Sequence, residues 1–191
     1  MKKIAIFASG NGSNAENIIR YFNDNNKVSI ELVLTNNPQA KVIERSINLG
    51  VSSFIFNREE FYSSDKVLQE LKSKSIDFIV LAGFMWLVPT RLIKQFPNNI
   101  INIHPALLPK YGGKGMYGDF VHQAVSEAEE KETGITIHYV NEKYDEGAVI
   151  FQKAVAVEAG EDYHLIAEKI HVLEYEYFPQ IIEDVIMRLS K

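Results

Sequence analysis

The chain has 191 residues, of which 46% are hydrophobic and 24% charged, a composition typical of one globular domain with a substantial buried core. Its net charge of −5 gives no support to general binding of nucleic acid or of a membrane surface. The absence of cysteine excludes disulfides, thiolate catalysis and Cys-based zinc sites. No apolar run approaches the ~20 residues that a membrane span requires. We therefore expect a cytoplasmic protein whose ligands are small molecules.

Apolar runs alternate with amphipathic stretches through the first hundred residues. Continuous apolar runs are typical of strands buried in a parallel sheet, and strands that alternate with helices imply right-handed crossovers. Later in the chain, two strands follow one another with a link too short for a parallel crossover, which favours an antiparallel pair. The predicted strands are 3–8, 28–35, 53–56, 78–82, 100–103, 134–140 and 148–157. The predicted helices are about 14–22, 41–49, 57–74, 89–95, 116–130 and 162–189.

Three local features refine the predicted helices. Ser13 and Glu16 have the spacing of a capping box, so the first helix should begin at the end of a glycine turn. The segment 57–74 should be broken near residues 63–64. Pro179 should kink or break the closing helix, because proline removes a backbone donor from the helix interior.

This order of elements predicts an α/β fold: a Rossmann-like, mostly parallel twisted sheet with helices on both faces and a C-terminal antiparallel strand pair. We expect one domain over residues 1–191, with a phosphate-binding βαβ half at 1–105 and a second half at 106–191. In open sheets of this type, ligands bind beyond the carboxyl ends of the strands. Three loops should therefore meet at one site, namely those at 9–14, 83–88 and 104–115.

Asn102 and His104 lie two positions apart at the end of the fifth predicted strand, so their side chains should emerge on the same face. Pro105 ends the strand and holds His104 extended. An amide donor beside a titratable ring is suited to acyl chemistry. Asp145, in a predicted turn, would favour the protonated imidazole if it lay nearby. Each residue alone is more often structural, but the pair with its Pro-rich exit loop favours a catalytic site.

Residues 10–14, Gly-Asn-Gly-Ser-Asn, lie between a strand and a helix and are suited to binding an anion, because free N–H groups at a helix start point at the ligand. The same residues match the loose dinucleotide fingerprint, which requires an acid about 20 residues later. Thr35, Asn36 and Asn37 stand there instead. A phosphate monoester therefore fits better than a dinucleotide.

Residues 83–89 are unusually apolar for a loop. They either continue the core or form one wall of a pocket for a flat heteroaromatic ligand, since such pockets are mostly apolar. The histidines other than His104 lack metal-ligand spacing, and we expect no metal.

Together these motifs resemble the phosphoribosylglycinamide formyltransferases, a family within the folate-dependent formyltransferase superfamily. The segments that carry the resemblance are 9–14, 82–85, 102–105, 107–111 and Asp145, and it extends from residue 3 to about residue 179. It implies a transferase of de novo purine (IMP) biosynthesis. The formyl group of the co-substrate 10-formyltetrahydrofolate would pass to the amine of 5-phosphoribosylglycinamide, giving formylglycinamide ribonucleotide and tetrahydrofolate. It also implies a monomer or homodimer, without nucleic-acid or membrane partners.

The resemblance assigns roles to individual residues. The catalytic set would be Asn102, His104 and Asp145, with Asp145 holding His104 charged. The substrate-binding residues would be Gly12, Ser13 and Asn14 for the phosphate, Glu174 for the ribosyl end, and Arg58, Met85, Trp86, Leu87, Val88, Asn102, Asn141 and Tyr144 for the folate. The family usually has a basic residue where Trp86 stands. The segment 112–133 is several residues longer than in the family, and Lys114 within it would add a phosphate contact.

Three alternatives remain open. A formyltetrahydrofolate hydrolase would use the same scaffold and the same catalytic residues. A non-catalytic sugar-phosphate-binding module would need the glycine turn but gives no reason for the catalytic set. A nicotinamide-dependent dehydrogenase would use the glycine turn but requires the missing acid.

Overall fold

The computed structural model describes residues 1–189, and within them the strands form one seven-stranded sheet of order β3-β2-β1-β4-β5-β6-β7. The strands are β1 Lys2–Phe7, β2 Val28–Thr35, β3 Ser52–Ile55, β4 Phe78–Leu81, β5 Ile100–His104, β6 Glu132–Tyr139 and β7 Val149–Ala156. The helices are α1 Ser13–Phe22, α2 Val42–Asn48, α3 Arg58–Tyr62, α4 Lys66–Ser73, α5 Thr90–Gln95, α6 Asp119–Glu127 and α7 Tyr163–Leu189.

Strands β1 to β5 pair in parallel, whereas β6 pairs antiparallel with both β5 and β7. The predicted fold class and the predicted antiparallel pair are therefore confirmed. The sequence did not reveal that β6 also lies against β5. That pairing places His138 of β6 directly opposite Asn102 of β5.

The core lies on both faces of the sheet, because successive side chains of a strand point to opposite sides. In β1, Ile4 and Ile6 belong to the apolar cluster under α1, α2, α6 and α7. Ala5 and Phe7 belong to the cluster under α3, α4 and α5. Both faces of the central strands are thus buried, which fits the uninterrupted apolar runs in the sequence.

Three helix predictions can be compared with the structure. The break near residues 63–64 is confirmed, since α3 and α4 are separate helices. The capping box at Ser13 and Glu16 is wrong: Gly12 is the N-cap without a side-chain cap, and Glu16 hydrogen-bonds to Arg20 instead. Of the kink or break predicted at Pro179, the break is wrong, because α7 continues through this residue.

Candidate active site

The three predicted loops do meet, beyond the carboxyl ends of β1, β4 and β5, and they line a cavity of ≈ 280 Å³. The first two loops are tied together by hydrogen bonds. Ser9 N donates to Gly83 O over 3.0 Å, and Met85 N donates to Ser9 Oγ over 3.1 Å. Asn102, His104 and Asp145 line the same cavity as Gly12, Ser13 and Asn14. The prediction that the three loops meet is therefore confirmed, and residues of the predicted catalytic and phosphate-binding sets line one cavity.

The glycine turn at one end of the cavity is held tightly against α2. Gly12 has φ 77°, and a Cβ built on it would lie 2.4 Å from Val42 Cβ, so only glycine fits this position. From α2, Arg45 reaches back to the turn, and its Nη2 donates to Asn11 Oδ1 over 2.8 Å. Arg45 also forms an ion pair with Glu16. The backbone N–H groups at the start of α1 are thereby held in place.

Glu174 of α7 lies next to the glycine turn although 160 residues separate it from Asn14. Asn14 Nδ2 donates to Glu174 Oε2 over 2.8 Å, and His171 Nδ1 donates to the same oxygen over 3.0 Å. The hydrogen bond with Glu174 raises the pKa of His171 above its ordinary value, against the opposing effect of burial. This end of the cavity therefore combines backbone donors, a buried carboxylate and an imidazole that binds a proton readily.

At the other end of the cavity, Asp145 lies between two imidazoles. Its Oδ2 is 3.6 Å from His104 Nδ1, and its Oδ1 is 3.6 Å from His138 Nε2. Asn102 Nδ2 lies 3.1 Å from His138 Nε2 and 3.5 Å from Asp145 Oδ1. Asp145 thus contacts both other residues of the predicted catalytic set, Asn102 and His104, and His138 is a fourth member of the cluster.

Hydrogen bonds to backbone carbonyls define which nitrogen of each imidazole carries a proton. His104 Nε2 donates to Tyr111 O over 2.7 Å, which leaves Nδ1 as the nitrogen that can accept a proton. His138 Nδ1 donates to Tyr139 O over 2.8 Å, so His138 Nε2 accepts from Asn102. One N–H of the Asn102 amide is thereby directed at His138, and the other lies on the side of Asp145 at the longer distance of 3.5 Å.

The expectation that Asp145 holds His104 charged is wrong. Burial lowers the pKa of His104 below its ordinary value, and this effect outweighs the nearby Asp145 charge and the Tyr111 carbonyl, which raise it. The side chain of His104 is only 4% exposed, and a buried cation is disfavoured relative to the neutral ring. Around neutral pH His104 is therefore mainly a neutral imidazole, with Asp145 placed to stabilise the cation once a proton arrives.

Asp145 itself is held as a carboxylate. Burial raises the pKa of Asp145, but the imidazoles of His138 and His104, which attract the carboxylate when they are protonated, and the N–H of Gly113 outweigh burial, so the pKa lies below its usual range. Gly113 N donates to Asp145 Oδ2 over 2.9 Å. Asp145 has φ 56°, in the left-handed region that Asp tolerates better than most residues. The hydrogen bond and the turn together fix this carboxylate between the imidazoles.

The predicted folate residues fall into two groups. Met85 and Tyr144 line the cavity, whereas Val88 is buried in the core beside α5. Outside the cavity, the Arg58 guanidinium lies 4.9 Å from the Tyr62 ring centroid and 5.7 Å from that of Trp86.

Leu87 and Asn141 mainly shape the loops. Leu87 O accepts a hydrogen bond from Tyr62 Oη over 2.9 Å, and Asn141 Oδ1 accepts one from Lys143 N over 2.9 Å. Lys114 is exposed and does not line the cavity, although Gly113 and Gly115 on either side of it do.

Within residues 1–189, no group of three or more His, Asp or Glu side chains is arranged to hold a metal ion. Over the same residues, no helix is long and apolar enough to cross a membrane.

Comparison with known proteins decides the family. The formyl transferase family model matches residues 2–182. The chain belongs to this family. Among its relatives, the phosphoribosylglycinamide formyltransferase of Bacillus subtilis is 36% identical over 191 residues, covering 97% of this chain and 95% of that protein. The chloroplastic phosphoribosylglycinamide formyltransferase of Arabidopsis thaliana is 36% identical over 95% of this chain and 64% of its own length.

Solved structures of formyltransferases agree with this assignment. Glycinamide ribonucleotide transformylase 1 from Geobacillus kaustophilus superimposes with a TM-score of 0.88 at 36% identity, over 97% of this chain and 99% of that one. Phosphoribosylglycinamide formyltransferase from Bacillus halodurans gives a TM-score of 0.85 at 36% identity, over 100% and 96% of the two chains. The predicted resemblance to the formyltransferases is therefore confirmed.

Sequence reasoning missed two residues of this candidate site. His138 was excluded as a metal ligand but not recognised as the partner of Asn102, because the pairing of β6 with β5 could not be predicted. His171 lies one helical turn before Glu174. That i, i+3 spacing was the available signal, since residues three apart lie on the same face of a helix.

Proposed function

We propose that the protein transfers the formyl group of 10-formyltetrahydrofolate to the amine of 5-phosphoribosylglycinamide, a step of purine synthesis. One observation carries the proposal. A single cavity joins the glycine turn and Glu174 at one end to Asn102, His104 and Asp145 at the other. A sugar phosphate bound at the first end would extend its amine toward the second. The names of the relatives support this choice of substrate.

The phosphate end would bind through backbone N–H groups of Gly12, Ser13 and Asn14. Donors at a helix start suit a dianion because the helix dipole adds to their attraction. Overall charge cannot supply that attraction, since the chain carries −5. Glu174, which is 5% exposed, would accept a hydrogen bond from the ribosyl part. The attraction for a phosphate would thus come from the N–H groups at the start of α1 and not from the net charge of the chain.

The folate would lie along the loop after β4. Met85 is 44% exposed, and both Met85 and Tyr144 line the cavity, where they offer apolar surfaces to a flat pteridine. Farther out, Arg58 is an exposed cation held over the rings of Tyr62 and Trp86. It would attract the carboxylates of the glutamyl tail.

The first step is attack of the glycinamide amine on the formyl carbon. A C–N bond forms, the carbonyl π electrons move to oxygen, and the amine becomes cationic. His104 Nδ1 takes one proton from that nitrogen, and the resulting imidazolium is stabilised by Asp145, 3.6 Å away. Asn102 Nδ2 donates to the oxyanion. Loss of one such donor typically costs ~10²–10³ in rate.

In the second step the tetrahedral intermediate collapses. The C=O bond reforms, the bond between the formyl carbon and N10 of the folate breaks, and N10 receives the proton that His104 had taken. The products are formylglycinamide ribonucleotide and tetrahydrofolate, and His104 returns to its neutral form. One neutral imidazole thus serves as base and then as acid, consistent with its lowered pKa.

The test follows the absorbance change as 10-formyltetrahydrofolate loses its formyl group, with and without glycinamide ribonucleotide. Turnover only when the ribonucleotide is present establishes the transferase. Equal turnover without it would show a formyl-folate hydrolase and overturn the proposal. Binding of the ribonucleotide without any turnover would show a sugar-phosphate-binding module. An Asn102→Ala variant checks that the observed turnover belongs to this site.

A further inference from the structure

His122 is a buried imidazole in the cavity wall that the proposed mechanism does not use. It lies on α6, is 2% exposed and lines the cavity together with Glu174 and His171. Its Nδ1 is buried and has no hydrogen-bond partner among residues 1–189. Buried polar atoms are normally paired, so an unpaired one requires an explanation.

The unpaired Nδ1 determines which nitrogen of His122 can form a hydrogen bond with a ligand. Burial lowers the pKa of His122, with His171 adding to this effect and Glu174 and Asp119 opposing it, so the ring is mainly neutral near pH 7. A buried N–H without an acceptor is less well tolerated than a buried acceptor without a donor. The single proton of the neutral ring therefore belongs on Nε2. Because Nδ1 is enclosed, Nε2 is the nitrogen that a ligand in the cavity can reach.

Glu174 supplies the complementary acceptor in the same wall. Asn14 and His171 both hydrogen-bond to its Oε2, and within residues 1–189 its Oε1 is left for a ligand. A neutral N–H donor and a carboxylate oxygen that line the same cavity match a hydroxyl group, which accepts one hydrogen bond and donates another. A phosphate offers no proton to the carboxylate and would be repelled by it.

We propose that His122 is a specificity residue, whose Nε2 donates a hydrogen bond to a ribosyl hydroxyl of the ribonucleotide while Glu174 accepts one from it. This inference rests on the proposed function. A site built to hydrogen-bond a hydroxyl discriminates against the analogue that lacks it, because its buried polar groups are then left unpaired.

The test compares wild type, His122→Gln and His122→Asn on the ribonucleotide and on its 2′-deoxy and 3′-deoxy forms. The Gln amide reaches the position of Nε2 and keeps a donor there, whereas the Asn amide reaches only the position of Nδ1. We expect His122→Asn to raise KM for the ribonucleotide about tenfold, equivalent to ~1.4 kcal/mol. His122→Gln should stay close to wild type, and KM for 10-formyltetrahydrofolate should not change in either variant.

The deoxy substrates separate a contact from a structural role, because two changes to one hydrogen bond are not additive. On one of the two deoxy forms, KM of His122→Asn should equal KM of the wild type. An equal rise in KM on all three substrates, or no rise in KM for the ribonucleotide, would contradict the proposed hydrogen bond. A wild-type enzyme without turnover would overturn the proposed function itself. Thermal unfolding midpoints of both variants show that each one folds.

Discussion

His104 Nδ1 and Asp145 Oδ2 lie 3.6 Å apart, although one residue ends a central strand and the other lies in the turn between β6 and β7. Burial favours neutral His104, whereas Asp145 favours its cation. The two effects place the imidazole where it can accept a proton during the reaction and give it back. A base that was permanently charged could not do this.

The pH dependence of catalysis should therefore change in Asp145→Asn. Activity requires neutral His104, so the rate of the wild type should fall as pH drops through the pKa of His104. Because Asp145 raises that pKa, its neutralisation should move the acidic limb of the kcat/KM profile to lower pH. The plateau should fall by ~10²-fold, as general base catalysis is weakened. An unchanged profile at an unchanged rate would remove Asp145 from the mechanism, and KM for the ribonucleotide serves as the control.

His138 should act by orienting Asn102, from which Nε2 accepts a hydrogen bond over 3.1 Å. His138→Leu removes the acceptor, and we expect kcat to fall about tenfold, equivalent to one hydrogen bond of ~1.4 kcal/mol. His138→Gln can present an amide oxygen near the position of Nε2 and should recover most of the rate. If both variants lose the same activity, His138 has a packing role instead.

Arg45 should support phosphate binding by holding the glycine turn through Asn11. Arg45→Gln should raise KM for the ribonucleotide several-fold, with kcat and KM for the folate nearly unchanged, because exposed contacts to one loop rarely contribute more than ~1 kcal/mol. Arg20→Gln is the matched control, since Arg20 also pairs with Glu16 but makes no hydrogen bond to the turn. Equal effects of the two substitutions would assign the change to Glu16 rather than to the turn.

Folding stability should depend on pH through histidines whose pKa values are shifted: His122 and His171 act in opposite directions, and His104 acts in the same direction as His122. Burial lowers the pKa of His122, so the unfolded chain binds a proton that the folded one does not. Stability should decrease as pH falls below about 6.5, by at most ~1.4 kcal/mol per pH unit for one proton. Glu174 raises the pKa of His171, whose contribution is present at low pH and lost as pH rises through the raised value.

Urea unfolding at about pH 7.5 and about pH 5.5 measures both contributions. His122→Gln should reduce the loss of stability on acidification, whereas His171→Gln should increase it. The second change should be the smaller, because the His171 side chain is 51% exposed and solvent screens its pair with Glu174. Identical pH dependence in the wild type and in both variants would contradict this assignment.

The sequence by itself determined the parallel half of the fold and the position of the site. Apolar runs such as Ile4–Phe7 are typical of strands buried on both faces of a sheet, and their alternation with helices implies a parallel sheet with right-handed crossovers. The glycine turn follows β1, and the pair of Asn102 and His104 ends β5. The local sequence pattern therefore placed both at the carboxyl edge of the sheet. Polar residues at the carboxyl ends of predicted strands can be recognised from the sequence alone.

Only the tertiary structure decided how the site titrates and which residues complete it. The pKa of His104 depends on its burial, on its distance from Asp145 and on its hydrogen bond to Tyr111 O, and none of these is encoded in spacing along the chain. His138 reaches Asn102 through a non-local strand pairing. The cavity-facing role of His122 follows from the absence of a partner for Nδ1 in the part of the chain that the structure describes. These properties arise from contacts between distant segments, and physical proximity in three dimensions alone determines them.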